Sequence, residues 1–224
     1  SNNIMVGDVM DLVESLQNGL RCSIDWLSFT INSLDLQSVL SDFGFCMSDF
    51  YECPKGANGY RRMLRLSGSN LRVLYDGGDN MGVHFDCSGS AVSDLVRYFS
   101  DSLMVETPFG TMAFDMEIVV VQELLSRILI NGHISRLDLA IDNMQNIYYR
   151  VPELEEIWNA KRCCCHFKTF KRITERDSSG ALVGDTVYLG SRSSELMVRV
   201  YNKQMESNRK YPENPIDYEW VRWE

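Results

Sequence analysis

Three segments of the chain repeat one two-sided pattern, and that pattern leaves little freedom for the fold. In "SRLDLAID" (135–142), Leu137, Leu139 and Ile141 alternate with Arg136, Asp138, Ala140 and Asp142. In "ELMVRVYNK" (195–203), Leu196, Val198 and Val200 alternate with Met197, Arg199, Tyr201 and Lys203. In "WVRWE" (220–224), Val221 and Trp223 alternate with Trp220, Arg222 and Glu224. Successive side chains of a strand point to opposite faces. Each segment therefore predicts a strand with an apolar face for a core and a second face of arginines, carboxylates and a tyrosine. Asp is a poor strand former, and a conflict between local propensity and position is expected where function imposes it. A ladder of cross-strand salt bridges accounts for the same residues without chemistry.

The rest of the chain supplies partners for such strands. Residues 5–19 have helical periodicity (Met10, Leu12, Val13, Leu16) and form an N-terminal helical segment over 1–21, ahead of one domain over 22–224. "CSIDWLSFTI" (22–31) predicts a central strand. "SLDLQSVLSDFG" predicts a helix with a Ser cap and a terminal Gly. Three alternating runs over 59–86, split by Gly-Ser and Gly-Gly-Asp, predict an antiparallel meander. "SGSAVSDLVRYFSDSL", "DMEIVVVQELLSRILING" and "VPELEEIWNAK" predict helices, the second being the strongest. Strands are expected near 162–174, 184–190 and 195–203, with "IDYEWVRWE" closing the chain. The fold class is α+β, with a mainly antiparallel central sheet and flanking helices.

Charge is divided along the chain. The net charge is -9, yet residues 161–210 hold eleven Lys or Arg against five Asp or Glu, a net +6 that leaves -15 elsewhere. One basic surface on an acidic body can hold a polyanion; a solvated face of scattered charge is the plainer alternative. The seven cysteines, three of them consecutive (Cys163, Cys164, Cys165), suit reduced thiols better than disulfides. "CCCH" is too compressed to wrap one tetrahedral ion. No run of 18 apolar residues and no secretory signal occur, so a soluble, cytoplasmic protein without a membrane partner is expected. Phosphate-loop, G-x-S-x-G and His-x-x-x-His motifs are absent, which leaves an ATPase, a serine hydrolase and a zincin unsupported.

If the three strands are neighbours, Asp138, Asp142 and Glu224 converge on a hard divalent cation, and Mg²⁺ or Mn²⁺ suits such oxygen ligands. Strand tyrosines are ordinarily packing residues. A nucleophilic one needs a metal, Lys or Arg beside it, because its ordinary pKa is about 10.

Taken together, "IDWLSFTI" (24–31), "SRLDLAIDN" (135–143), "TVYLGSRSSELMVRVYNK" (186–203) and "WVRWE" (220–224) resemble the Rep_trans-type family of rolling-circle plasmid replication initiators and conjugative-element relaxases. The resemblance spans residues 22–224. It implies nicking and joining of one DNA strand at a replication or transfer origin. A tyrosine attacks a phosphodiester, leaving a 5′-phosphotyrosine link and a free 3′-hydroxyl, with help from Mg²⁺ or Mn²⁺. By position Tyr188 is the nucleophile and Tyr201 the second choice, with Lys203 beside them. Arg192, Arg199, Arg136, Lys168, Lys171 and Arg172 are DNA contacts, and Asp138, Asp142 and Glu224 are metal or base candidates. The implied partners are single-stranded or hairpin origin DNA, a host helicase and a second copy of the chain. Family members continue past the R-x-E strand, so a C-terminally truncated fragment is expected. A non-catalytic hairpin-binding module of the same ancestry is the alternative, and a protein with no nucleic-acid role a third reading.

Overall fold

Strand alternation governs both halves of the chain. The structure, a computed structural model, describes residues 20–224 except 104, 108–109, 113–116, 145–148, 163–166, 192 and 195. The helix expected over 5–19, the Cys163–Cys165 run and Arg192 lie outside the described residues. Two compact units form among the described residues, one over 23–139 and one over 140–224 together with 20–22.

The first unit begins within β1 (Leu20–Ile31) and continues with α1 (Leu36–Asp42). The cap of α1 is Asp35, whose carboxylate accepts the Ser38 N–H at 3.1 Å, rather than the expected serine. The expected meander is present as β3 (Arg62–Leu66), β4 (Arg72–Tyr75) and β5 (Val83–Ser88), with a short β2 (Phe50–Glu52) unforeseen at its edge. Helix α2 (Ser90–Ser102), the hairpin β6 (Val105–Thr107) and β7 (Gly110–Met112), helix α3 (Glu117–Asn131) and strand β8 (Gly132–Asn143) follow. Strand order is β2-β3-β4-β5-β1-β8, and all registers described are antiparallel. Leu27, Phe29 and Ile31 of β1 join Val83 and Phe85 and the apolar stripes of the three helices in one core. Phe29 stacks on Phe85 at 4.7 Å. On the other face Asp86 is buried and satisfied, accepting from Trp26 Nε1 at 2.9 Å, Ser28 Oγ at 2.8 Å and Arg72.

The second unit takes the end of β8 and adds α4 (Val151–Asn159), β9 (Phe170–Arg176), β10 (Leu182–Leu189), β11 (Val198–Asn202), α5 (Lys203–Lys210) and β12 (Val221–Trp223). Its order is β8-β12-β11-β10-β9, antiparallel throughout. Val187, Val200 and Val221 pack with Val151 and Leu154 of α4, so Val200 and Val221 join a core as expected, whereas Leu196, expected on the same face, precedes β11 and is exposed.

Three expectations are corrected. Leu137, Leu139 and Ile141 of β8 are exposed, while Ala140 and Asp142 on the alternate positions are buried. In the first unit the helix α2 packs on β5, and in the second α4 packs on β10 and β11. Residues 167–169 are irregular and β9 starts at Phe170, later than the strand expected from 162. Lys203 is the first residue of α5, not a strand position, because the Asn202 side chain accepts the Met205 N–H at 2.8 Å and turns the chain into a helix. Among the described residues no helix is long and apolar enough to cross a membrane.

Candidate functional site

Register turns the predicted polar faces of the second unit into rows. Arg222 stands opposite Asp142 on one side and Tyr201 on the other, and Tyr201 stands opposite Thr186. In the next row Glu224 and Arg199 exchange backbone hydrogen bonds (2.6 and 2.8 Å), Arg199 faces Tyr188, and Tyr188 faces Lys171. Strand alternation puts both rows on one face. The sequence foresaw Tyr188, Arg199, Tyr201, Arg222, Asp142 and Glu224 there, and the register adds Thr186 and Lys171.

The two tyrosines differ in setting. Tyr201 is 6% exposed, with Arg199 4.5 Å and Lys203 5.5 Å from its ring centre. Burial pushes its hydroxyl well above the ordinary tyrosine range, more than the nearby Arg222 and Arg199 offset. Tyr188 is half-buried on β10, two residues before Gly190. Gly190 has φ +86, and a Cβ there would stand 3.0 Å from the Leu196 carbonyl, so the turn after Tyr188 needs glycine. For Arg199, burial opposes the charge, and the carboxylate of Glu224 more than restores it, holding the guanidinium's pKa above its ordinary value.

The carboxylates are engaged by donors. Asp142, 1% exposed, accepts from Trp220 Nε1 at 2.6 Å, Arg222 Nε at 2.7 Å and, on its other oxygen, Arg222 Nη2 at 2.8 Å. Glu224 pairs with Arg199. Asp138, in the first unit, pairs with Arg136, whose guanidinium lies 3.9 Å from the Trp26 ring centre. A divalent ion at Asp142 would have to displace both an arginine and an indole N–H. Among the described residues no group of three or more His, Cys, Asp or Glu side chains is arranged to hold a metal. The donor set has the right chemistry for Mg²⁺ or Mn²⁺, but as arranged its oxygens serve arginines.

The predicted cations also separate by role. Lys171 lies across from Tyr188, whereas Arg172 lies across from Val187, on the side where α4 packs. There it binds Asp185 through two bonds of 2.8 and 2.7 Å and reaches Glu155 of α4. The Asp185 bond raises the Arg172 pKa, in keeping with a structural cation. Lys168 is exposed just before β9. Lys203 pairs with Glu206 one turn along α5 and stays near Tyr201 and Trp220.

An antiparallel α+β sheet with one covered face and one face of paired Arg, Lys, Tyr and carboxylates is the class to which this chain is assigned. Comparison with known proteins narrows the class: residues 132–224 match the replication initiation factor family, Rep_trans, and the resemblance stated from the motifs holds. Over 216 residues the chain is 26% identical to the protein named "Putative DNA relaxase NicK" of Bacillus subtilis strain 168, covering 94% of this chain and 56% of that protein, so it spans little more than half of that relative's length. Its fold matches the solved rolling circle replication initiator protein from Geobacillus stearothermophilus with TM-score 0.67 at 24% identity, covering 92% of this chain and 74% of that one.

Proposed function

We propose that the polar face of the second unit nicks and rejoins single-stranded or hairpin DNA at a replication or transfer origin, with Tyr188 as the nucleophile. The observation that carries this reading is the setting of Tyr188, half-buried between Arg199 on one neighbouring strand and Lys171 on the other. A tyrosine between two cations meets the requirement of phosphoryl transfer, a nucleophile beside positive charge that stabilises the oxyanions developing on phosphorus. The Tyr188 Oη–P bond forms as the P–O3′ bond breaks, and the proton lost by tyrosine balances the one gained by the 3′-hydroxyl. Tyr201 supports the step as a buried floor that positions Arg199 and Lys203. The similarity to a putative DNA relaxase of Bacillus subtilis and to a rolling circle replication initiator of Geobacillus stearothermophilus supports this reading.

Asp138, Asp142 and Glu224 act in this proposal as the partners of Arg136, Arg222 and Arg199. Their role as ligands for Mg²⁺ or Mn²⁺ is tested by the metal dependence of the adduct. A host helicase and a second copy of the chain are the further partners that the resemblance implies.

The test is an origin oligonucleotide incubated with the protein and each metal, then resolved on a denaturing gel. A covalent adduct is expected from the wild type and from Tyr201→Phe, and none from Tyr188→Phe. An adduct with Tyr188→Phe would overturn the choice of nucleophile. Retention of DNA with no adduct under any metal would favour the hairpin-binding module instead.

A further inference from the structure

One aromatic pair beside the polar face has no part in the proposed chemistry. Trp220 precedes β12, with the alternation of Arg222 and Glu224, and therefore belongs to the same face. Its position is fixed three ways. The indole N–H donates to Asp142 at 2.6 Å, the Arg222 guanidinium lies 5.7 Å from the ring centre, and the Lys203 ammonium lies 6.0 Å from it. Tyr218 stacks against this held ring, with centroids 6.5 Å apart and planes 29° from parallel, and stays 46% exposed.

The segment carrying the pair is not regular structure, yet α5 clamps it. Asn208 and Ile216 exchange two hydrogen bonds, Nδ2 to the Ile216 carbonyl at 3.0 Å and the Ile216 N–H to Oδ1 at 2.6 Å. Gln204 Nε2 donates to the same carbonyl at 3.0 Å. Side-chain amides that copy backbone pairing hold the loop two residues before Tyr218, so the ring is ordered before any ligand arrives.

We infer that Tyr218, backed by Trp220, is a base-stacking platform that takes one unpaired base of the DNA strand lying on the polar face. This rests on the reading of that face as the DNA surface. An exposed aromatic ring flanked by cations is how a protein grips single-stranded nucleic acid without reading its sequence, with the ring holding a base and the cations the backbone. Trp220 and Glu224 are four residues apart along one strand direction, about 13 Å at the strand rise. Trp220, which backs the platform, therefore stands about four nucleotides from the Glu224 end of the Tyr188 row at a stacked rise of about 3.4 Å, and fewer for an extended strand.

The experiment measures binding of two single-stranded probes at low salt, an oligothymidylate and an abasic oligonucleotide of equal length and charge. Tyr218→Ala is expected to weaken the oligothymidylate about tenfold, the lower range for losing one stacked base, while abasic binding is unchanged. Tyr218→Phe keeps the ring and is expected to bind both probes like the wild type. Equal loss on both probes, or loss with Tyr218→Phe, would assign Tyr218 a structural or hydroxyl role and overturn the platform. Wild-type affinity for oligothymidylate in Tyr218→Ala would overturn the platform alone. Failure of the wild type to bind either probe would overturn the DNA reading of the face, and the platform with it.

Discussion

At the scale of single residues, Asp142 bears the heaviest demand. It is 1% exposed and holds the Arg222 side chain, itself 13% exposed, together with the indole of Trp220. Asp142→Ala removes the buried carboxylate that accepts from both Arg222 and the Trp220 indole, and urea unfolding is expected to show a loss of about 3–5 kcal/mol. Tyr201 makes a prediction at the alkaline end. Its folded pKa lies above the unfolded value of about 10, so its stabilising contribution is whole below that pH and is lost as pH rises toward the folded pKa. The unfolding free energy of the wild type should therefore fall more steeply above about pH 10 than that of Tyr201→Phe, and equal slopes would refute the burial argument.

At the scale of elements, the alternation of β11 and β12 was legible because period two is set by the backbone and survives in any context. It yielded the shared face of Arg199, Tyr201, Arg222 and Glu224 without any knowledge of neighbours. The Gly-Ser turn put Tyr188 on the face of Arg199, but the register that sets the two directly opposite each other was not legible, since the turn alone does not fix which residues pair. Lys171 and Arg172 were indistinguishable as cations until pairing placed one opposite Tyr188 and the other opposite Val187. Lys203 was misread because R-V-Y-N-K continues the strand pattern, whereas the decisive signal was Asn202 as a helix cap. Removing that cap with Asn202→Ala should cost about 1 kcal/mol in thermal or urea unfolding. Arg172→Met tests the division of cations. It leaves Asp185 buried and unpaired and should destabilise by about 3 kcal/mol, while DNA affinity measured well below the melting point is unchanged.

At the scale of the whole molecule, the division of charge between residues 161–210 and the rest agrees only in part with the polar face. Arg172 and Arg199 of that basic segment pair with Glu155 and Glu224, which lie outside it, so its formal +6 overstates the charge offered to a polyanion. Binding to single-stranded DNA should weaken with salt, and Lys171→Ala should lower the slope of log affinity against log salt by about one, the signature of one lost phosphate contact. An unchanged slope would remove Lys171 from the DNA surface.

The strand order of the second unit also bears on synthesis. Strand β12 lies between β8 and β11, pairing Arg222 with Asp142 and with Tyr201, so the latest of the three strands to be made is the middle one. Until the ribosome has delivered residues 221–223, β8 and β11 have no common neighbour, Asp142 has no clasp and the Tyr188 row lacks Glu224. A nascent chain halted short of that point carries the tyrosines without the assembled face.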